Sequence, residues 1–223
     1  PLPFLAAIAA ALGTFACGPS VPAVPPVPDP PSIVEPMPTA PVQADPGEPG
    51  QWEPVQGLAP AAREFIVEGG GGKLAVGLLV VHSQWGVNKE VRHLARQLAA
   101  SGAVVVVPDL YDGVESTSRI SSPELMAGVS LTRAQQMLEA AYRRLAAHPK
   151  LSSRPIAMLG LGAGGGWGAR FATGPNAFAV LVFDSTPLYR DPESMAKIRA
   201  PVLLITGLAS STSWPLNRSG PGS

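Results

Sequence analysis

Thirteen prolines fall within the forty residues from Gly18 to Gly57, half of the 26 in the chain. Each lacks a backbone N–H and holds φ at about −65°, so neither a helix nor an interior strand can run through that stretch. In polyproline geometry, about 3.1 Å per residue, it reaches on the order of 100 Å. Residues 18–57 therefore read as an extended, unstructured tether, and the globular part of the chain is expected from about Leu58 onward.

What precedes the tether is apolar. Leu2 to Ala16 (LPFLAAIAAALGTFA) carries no charge. As a helix rising about 1.5 Å per residue it falls short of a hydrocarbon core of about 30 Å, which makes it a poor permanent span and a good h-region of a secretory signal. The junction Ala16-Cys17-Gly18 resembles a bacterial lipoprotein signal, in which the cysteine receives the lipid. Residues 1–17 are thus expected to direct export to the cell envelope, with Cys17 as the lipidation site and the membrane as a partner through that anchor. An ordinary secretory signal is the competing reading of the same run.

Composition removes several function classes. Sixteen Lys+Arg balance sixteen Asp+Glu, and no basic run is present, so a nucleic-acid partner, which demands a cationic surface, is not expected. The single cysteine excludes a disulfide within the chain and a cysteine-based zinc site. The three histidines, His82, His93 and His148, have no metal-ligand spacing, and no metal is expected.

Beyond Leu58 strand and helix patterns alternate. Val76 to His82 and Ala103 to Val107 are continuous apolar runs, as strands buried on both faces require. Between them Asn88 can cap a helix whose apolar positions Val91, Leu94, Ala95, Leu98 and Ala99 follow the 3.6-residue period, with Gly102 as its stop. His93 falls off that stripe and reads as solvated. A helix over 132–147, a strand over 155–159, a helix over 164–172, a strand over 177–183, a helical turn over 195–198 and a strand over 202–206 complete the series. Such alternation implies an α/β fold: a doubly wound, mostly parallel sheet with helices on both faces.

In such sheets ligands sit beyond the carboxyl ends of the strands. One of those ends reads Gly160-Leu161-Gly162-Ala163-Gly164-Gly165. The spacing fits a nucleophile elbow, G-x-(Ser/Cys)-x-G, with a glycine where the nucleophile belongs. It also fits the dinucleotide fingerprint G-x-G-x-x-G through Gly160, Gly162 and Gly165, with Asp184 at the end of the next strand as the ribose-binding acid.

The wider context distinguishes them. Val80-Val81-His82-Ser83-Gln84-Trp85-Gly86-Val87-Asn88, the helix from His93 to Gly102, Val107-Pro108-Asp109-Leu110-Tyr111, and Ile198 to Gly207 together resemble the dienelactone hydrolase family, over roughly Arg63 to Gly207. The resemblance implies an α/β-hydrolase domain over 58–207, an irregular tail over 208–223, no cofactor, and a small ester or lactone as the molecule it meets. It also implies that the backbone N–H groups of Gln84 and Ala163 occupy the places of the oxyanion donors.

The catalytic positions depart from the family. Gly162 replaces the cysteine of G-x-C-x-G-G, Ser83 replaces the active-site glutamate, and no Asp, Glu or His follows Gly207. The expected domain therefore lacks the family's last strand and helix along with its acid and histidine, and no catalytic side chain is assigned. Glycine has nothing to attack with, so the expectation is an inactive, hydrolase-like domain on an exported lipoprotein. The alternatives are a non-catalytic small-molecule binding domain and the dinucleotide-binding domain described above.

Overall fold

The computed structural model describes residues 47–58, 62–69, 76–116, 118, 121–184 and 191–205. The signal-like segment with Cys17, most of the proline-rich stretch, Ser185 and the tail 208–223 lie outside them. In chain order the elements are β1 (Gln51–Pro54), β2 (Arg63–Glu68), β3 (Gly77–Val81), α1 (Lys89–Ala100), β4 (Val104–Pro108), α2 (Ser121–Gly128), α3 (Leu131–Ala146), β5 (Ile156–Gly160), α4 (Gly164–Ala172), β6 (Val180–Phe183), α5 (Pro192–Met195) and β7 (Val202–Leu204).

Seven described strands form one sheet in the order β1-β2-β4-β3-β5-β6-β7. β2 runs antiparallel to both its neighbours, and the other four pairings are parallel. The fold is the expected mixed α/β sheet, with an antiparallel margin that the alternation of strands and helices did not reveal. β1 corrects the expected boundary at 57/58. It lies inside the proline-rich stretch and pairs Gln51 with Ile66 through to Pro54 with Arg63. Pro54 is tolerated because it ends a strand at the sheet margin, where one row of N–H groups goes unused.

Two apolar layers cover the sheet. On one face α1 brings Val91, Ala95 and Ala99 against Phe65, Val80, Val105 and Val107. On the other, α3 and α4 bring Met137, Leu138, Leu145, Ala169 and Phe171 against Leu79, Val81, Val106 and Met158. Each fully buried Val, Leu, Phe or Met side chain stabilises the fold by about 1.5–3 kcal/mol, which explains why the central strands are unbroken apolar runs. The helices begin where their sequences say they should. Asn88 Oδ1 accepts the Val91 N–H at 3.0 Å, and Ser130 Oγ accepts the Arg133 N–H at 3.1 Å.

A second device ties α3 to the antiparallel margin. Arg144 donates from Nε to Glu64 Oε1 on β2 and from Nη1 to Glu53 Oε2 on β1, the latter at 2.6 Å. Glu64 is only 1% exposed, and its Oε2 has no partner among the described residues. Burial raises its carboxyl pKa above the usual range, outweighing the attraction of Arg144. Among the described residues no helix is long and apolar enough to cross a membrane.

Candidate active-site cleft

The parallel strands deliver their carboxyl ends to one rim. There the chain leaves β3 as His82-Ser83-Gln84-Trp85, leaves β5 as Leu161-Gly162-Ala163, and leaves β6 at Asp184. Ser83, Gln84, Trp85, Leu161, Gly162 and Asp184 line an open cleft of about 770 Å³. β3 and β5 are neighbours, and the chain leaves β3 toward β4 on one side and β5 toward β6 on the other, so the cleft sits where strand order reverses.

The glycine turn has elbow geometry. Gly162 takes φ +49°, in the left-handed region, between a strand ending at Gly160 and a helix starting at Gly164. Its neighbours are glycine for steric reasons. A Cβ on Gly164 would overlap the carbonyl oxygens of Val81 and His82, and one on Gly160 would stand 2.7 Å from the Gly165 Cα. Position 162 is different. A Cβ there would point at the cleft, 3.1 Å from Gln84 Oε1 and 3.4 Å from Ser83 Cβ. Position 162 is thus sterically open toward the cleft and carries no side chain.

Two backbone donors expected from the sequence lie beside that point. Gln84 belongs to the cleft wall, and Ala163 follows the left-handed glycine as the residue before α4. Among the described residues neither N–H donates to a protein acceptor. The Gly162 N–H does: it donates to Asp184 Oδ1 at 2.5 Å. The sequence singled out Asp184 for a ribose, whereas the structure sets its carboxylate on the loop amide that a dinucleotide pyrophosphate would need. Negative charge at that amide opposes phosphate, so the geometry does not support the fingerprint reading.

None of the three histidines lines the cleft. His93 is exposed on α1, and His148 pairs with Glu68 at 3.1 Å. His82 is 2% exposed and turned inward. Its Nδ1–H donates to the Ser83 carbonyl at 2.7 Å, and its Nε2 accepts the Leu110 N–H at 3.0 Å. Both nitrogens are engaged in the neutral form, and burial lowers the pKa of the ring below its ordinary value. Ser83 Oγ accepts the Trp85 N–H at 3.4 Å, and the ring nitrogens of neighbouring His82 are engaged elsewhere. No set of three or more His, Cys, Asp or Glu among the described residues lies where it could hold a metal ion. The His82 and Asp184 contacts had no signal in local spacing, because their partners are 28 and 22 residues away.

Residues 70–212 match the model of the dienelactone hydrolase family, well over half of the chain. The chain belongs to that family. Its fold is similar to that of a solved protein named m3DLH, with 26% identity over 66% of this chain and 63% of that one, and a TM-score of 0.54. A Klebsiella pneumoniae protein assigned as a dienelactone hydrolase is similar at 21% identity over 70% of each chain, with a TM-score of 0.55. The dienelactone-hydrolase-like promiscuous phosphotriesterase P91 from metagenomic libraries shares the fold at 19% identity, over 64% of this chain and 62% of that one, with a TM-score of 0.51. This chain therefore spans a little under two thirds of the length of the first of these relatives. No curated protein sequence matches it. The matched residues include the turn at 160–165 and the strand ends that line the cleft.

Proposed function

We propose that this dienelactone hydrolase family member is an exported, lipid-anchored protein whose cleft binds a small ester or lactone without hydrolysing it. The observation that carries the reading is Gly162. The elbow is intact in backbone conformation and in its obligatory flanking glycines, yet it presents no nucleophile. Acyl transfer needs an attacking group and a base within hydrogen-bond reach. The cleft offers a glycine at the first position, and all three histidines are directed elsewhere. What persists is recognition: the N–H groups of Gln84 and Ala163, which have no acceptor among the described residues, suit a carbonyl oxygen, and Leu161, Val91 and Leu94 supply an apolar wall. Backbone donors alone retain about 10³–10⁴-fold over water, far below a working hydrolase.

Hydrolysis of aryl esters and a lactone by the purified chain, beside an unrelated control protein, tests the reading. The expected result is no turnover above control, with ligand-observed NMR detecting the lactone in the cleft. A Gly162→Cys variant is expected to stay close to control as well, because its thiol has no histidine to deprotonate it near neutral pH. Turnover by the unmodified chain that disappears in Ser83→Ala would overturn the proposal. Export and anchoring rest separately on the apolar run ending at Ala16-Cys17-Gly18 and the proline stretch behind it.

A further inference from the structure

β3 and β4 pair for only three residues, Gly77–Leu79 against Val104–Val106. The other side of each strand stays paired further. β3 continues along β5 to Val81 opposite Gly160, and β4 continues along β2 to Pro108 opposite Glu64. β3 and β4 therefore fork as they approach the cleft, and both prongs lead into its wall, one through Ser83 to Trp85 and the other through Ser116. Among the described residues the fork is bridged in three places. His82 Nε2 accepts the Leu110 N–H at 3.0 Å, the Ser116 N–H donates to the Trp85 carbonyl at 3.1 Å, and Arg92 Nη1 joins the Val87 carbonyl to Glu115 Oε1. Only the first bridge depends on an unprotonated ring nitrogen, and it lies nearest the split.

We propose that His82 is an acid-sensitive latch: the neutral ring closes the fork between β3 and β4, and protonation releases it and opens the cleft wall. Proton uptake puts a hydrogen on Nε2, where a lone pair now receives the Leu110 N–H, so two donors face each other and the bond is lost. Turning the ring over does not help, because Nδ1 already carries the hydrogen given to the Ser83 carbonyl. The groups around the ring offer no free counter-charge. From the end of β4, Asp109 is 2% exposed in its side chain and is held by Arg63 of β2 at 3.0 Å and by the Tyr111 N–H at 3.1 Å. Tyr111 presents its ring edge-on at 4.7 Å. From α4, Gly164 approaches the His82 carbonyl. A charged imidazole in that setting gains by reaching water, and parting of the fork that its own bond closes would admit it. The opening is local because the β3–β5 and β2–β4 ladders contain no titrating bond. The lowered pKa of the ring agrees with this, since the closed state resists the proton that the open state accepts. The latch does not depend on what the cleft binds.

Amide hydrogen exchange of the intact chain between pH 7 and pH 5, corrected for intrinsic exchange rates, reads the latch directly. The Leu110 amide is expected to lose protection by up to about tenfold per pH unit below about 6.5, while the Met158 amide in central β5 keeps its protection. The imidazole nitrogen shifts of His82 should change from one neutral tautomer to the doubly protonated ring only at lower pH, below the ordinary range of a histidine, because they report the dominant closed state. A His82→Gln variant keeps an acceptor oxygen that does not titrate, and its Leu110 protection is expected to be flat with pH. Leu110 protection that is flat in the unmodified chain, or that falls in parallel with Met158, overturns the proposal. That wild-type comparison decides even if the variant does not fold.

Discussion

Glycines 162 and 164 are two residues apart in one turn, and the structure assigns them opposite reasons for being glycine. Replacing each with alanine separates the two. At Gly164 the new Cβ overlaps the Val81 and His82 carbonyl oxygens and stands 2.8 Å from the Val81 carbonyl carbon. Carbon–carbon contacts are optimal at about 3.5–4.0 Å, and these neighbours are backbone of β3, the strand in the middle of the switch point. They cannot rotate away as a side chain would. Overpacking typically costs about 1–3 kcal/mol, and with rigid main chain on the receiving side Gly164→Ala belongs at about 3 kcal/mol or above.

At Gly162 the nearest atom to a new Cβ is Gln84 Oε1 at 3.1 Å, the mobile end of a half-buried side chain. The remaining cost is conformational. A left-handed φ of +49° costs a non-glycine residue about 1–2 kcal/mol, and loss of glycine's freedom in the unfolded chain returns about 0.4–1 kcal/mol. Gly162→Ala should therefore cost about 1 kcal/mol. Urea unfolding with linear extrapolation measures both, and unchanged m-values would show that the variants share the same folded and unfolded states. Equal costs, or a larger cost at 162, would refute the reasoning and with it the view that position 162 is sterically open to a side chain.

The other expectations concern distinct parts of the molecule. Arg144→Ala removes the shared partner of Glu53 and Glu64 and leaves a 1%-exposed carboxylate unpaired; because Arg144 is 30% exposed, the loss in urea unfolding should be about 2 kcal/mol, below that of a fully buried pair. Glu64 has a raised pKa, so its stabilising contribution is fully present below its ordinary value of 4.5 and is lost as pH rises through its folded value. Glu64→Gln does not titrate and should gain stability relative to the parent across that window, by up to about 1.4 kcal/mol per pH unit, when unfolding is compared at pH 4.5 and pH 7. Expression of the gene in bacteria fed labelled palmitate should label the protein through Cys17, and label persisting in Cys17→Ser would sink the anchoring proposal.

Local residues announced much of this fold. The apolar run at 76–82 contains β3, the run at 103–107 holds all of β4 but its last residue, Asn88 caps α1, and the glycines at 160–165 form the turn into α4. Those features depend on the pleat, the helical period and φ preferences, which neighbouring residues set among themselves. Even there, packing adjusted the detail: Leu94 and Leu98 are only half-buried, while Arg92 is drawn inside by the Val87 carbonyl and Glu115. The glycine at position 162 was equally legible, since it needs no coordinates to be seen. Strand order was not, nor the antiparallel margin that extends the fold back to Gln51, because Trp52 and Phe65 become neighbours only when loops close between them. The same holds for the bonds that shape the cleft. His82 reaches Leu110, Asp184 reaches the Gly162 amide, and Arg144 reaches Glu53 across 91 residues of chain. Hydrogen bonds over such separations carry no periodic trace in one dimension. They exist because burying the apolar faces of the sheet brings their donors and acceptors together, where leaving them unpaired would cost more than pairing them.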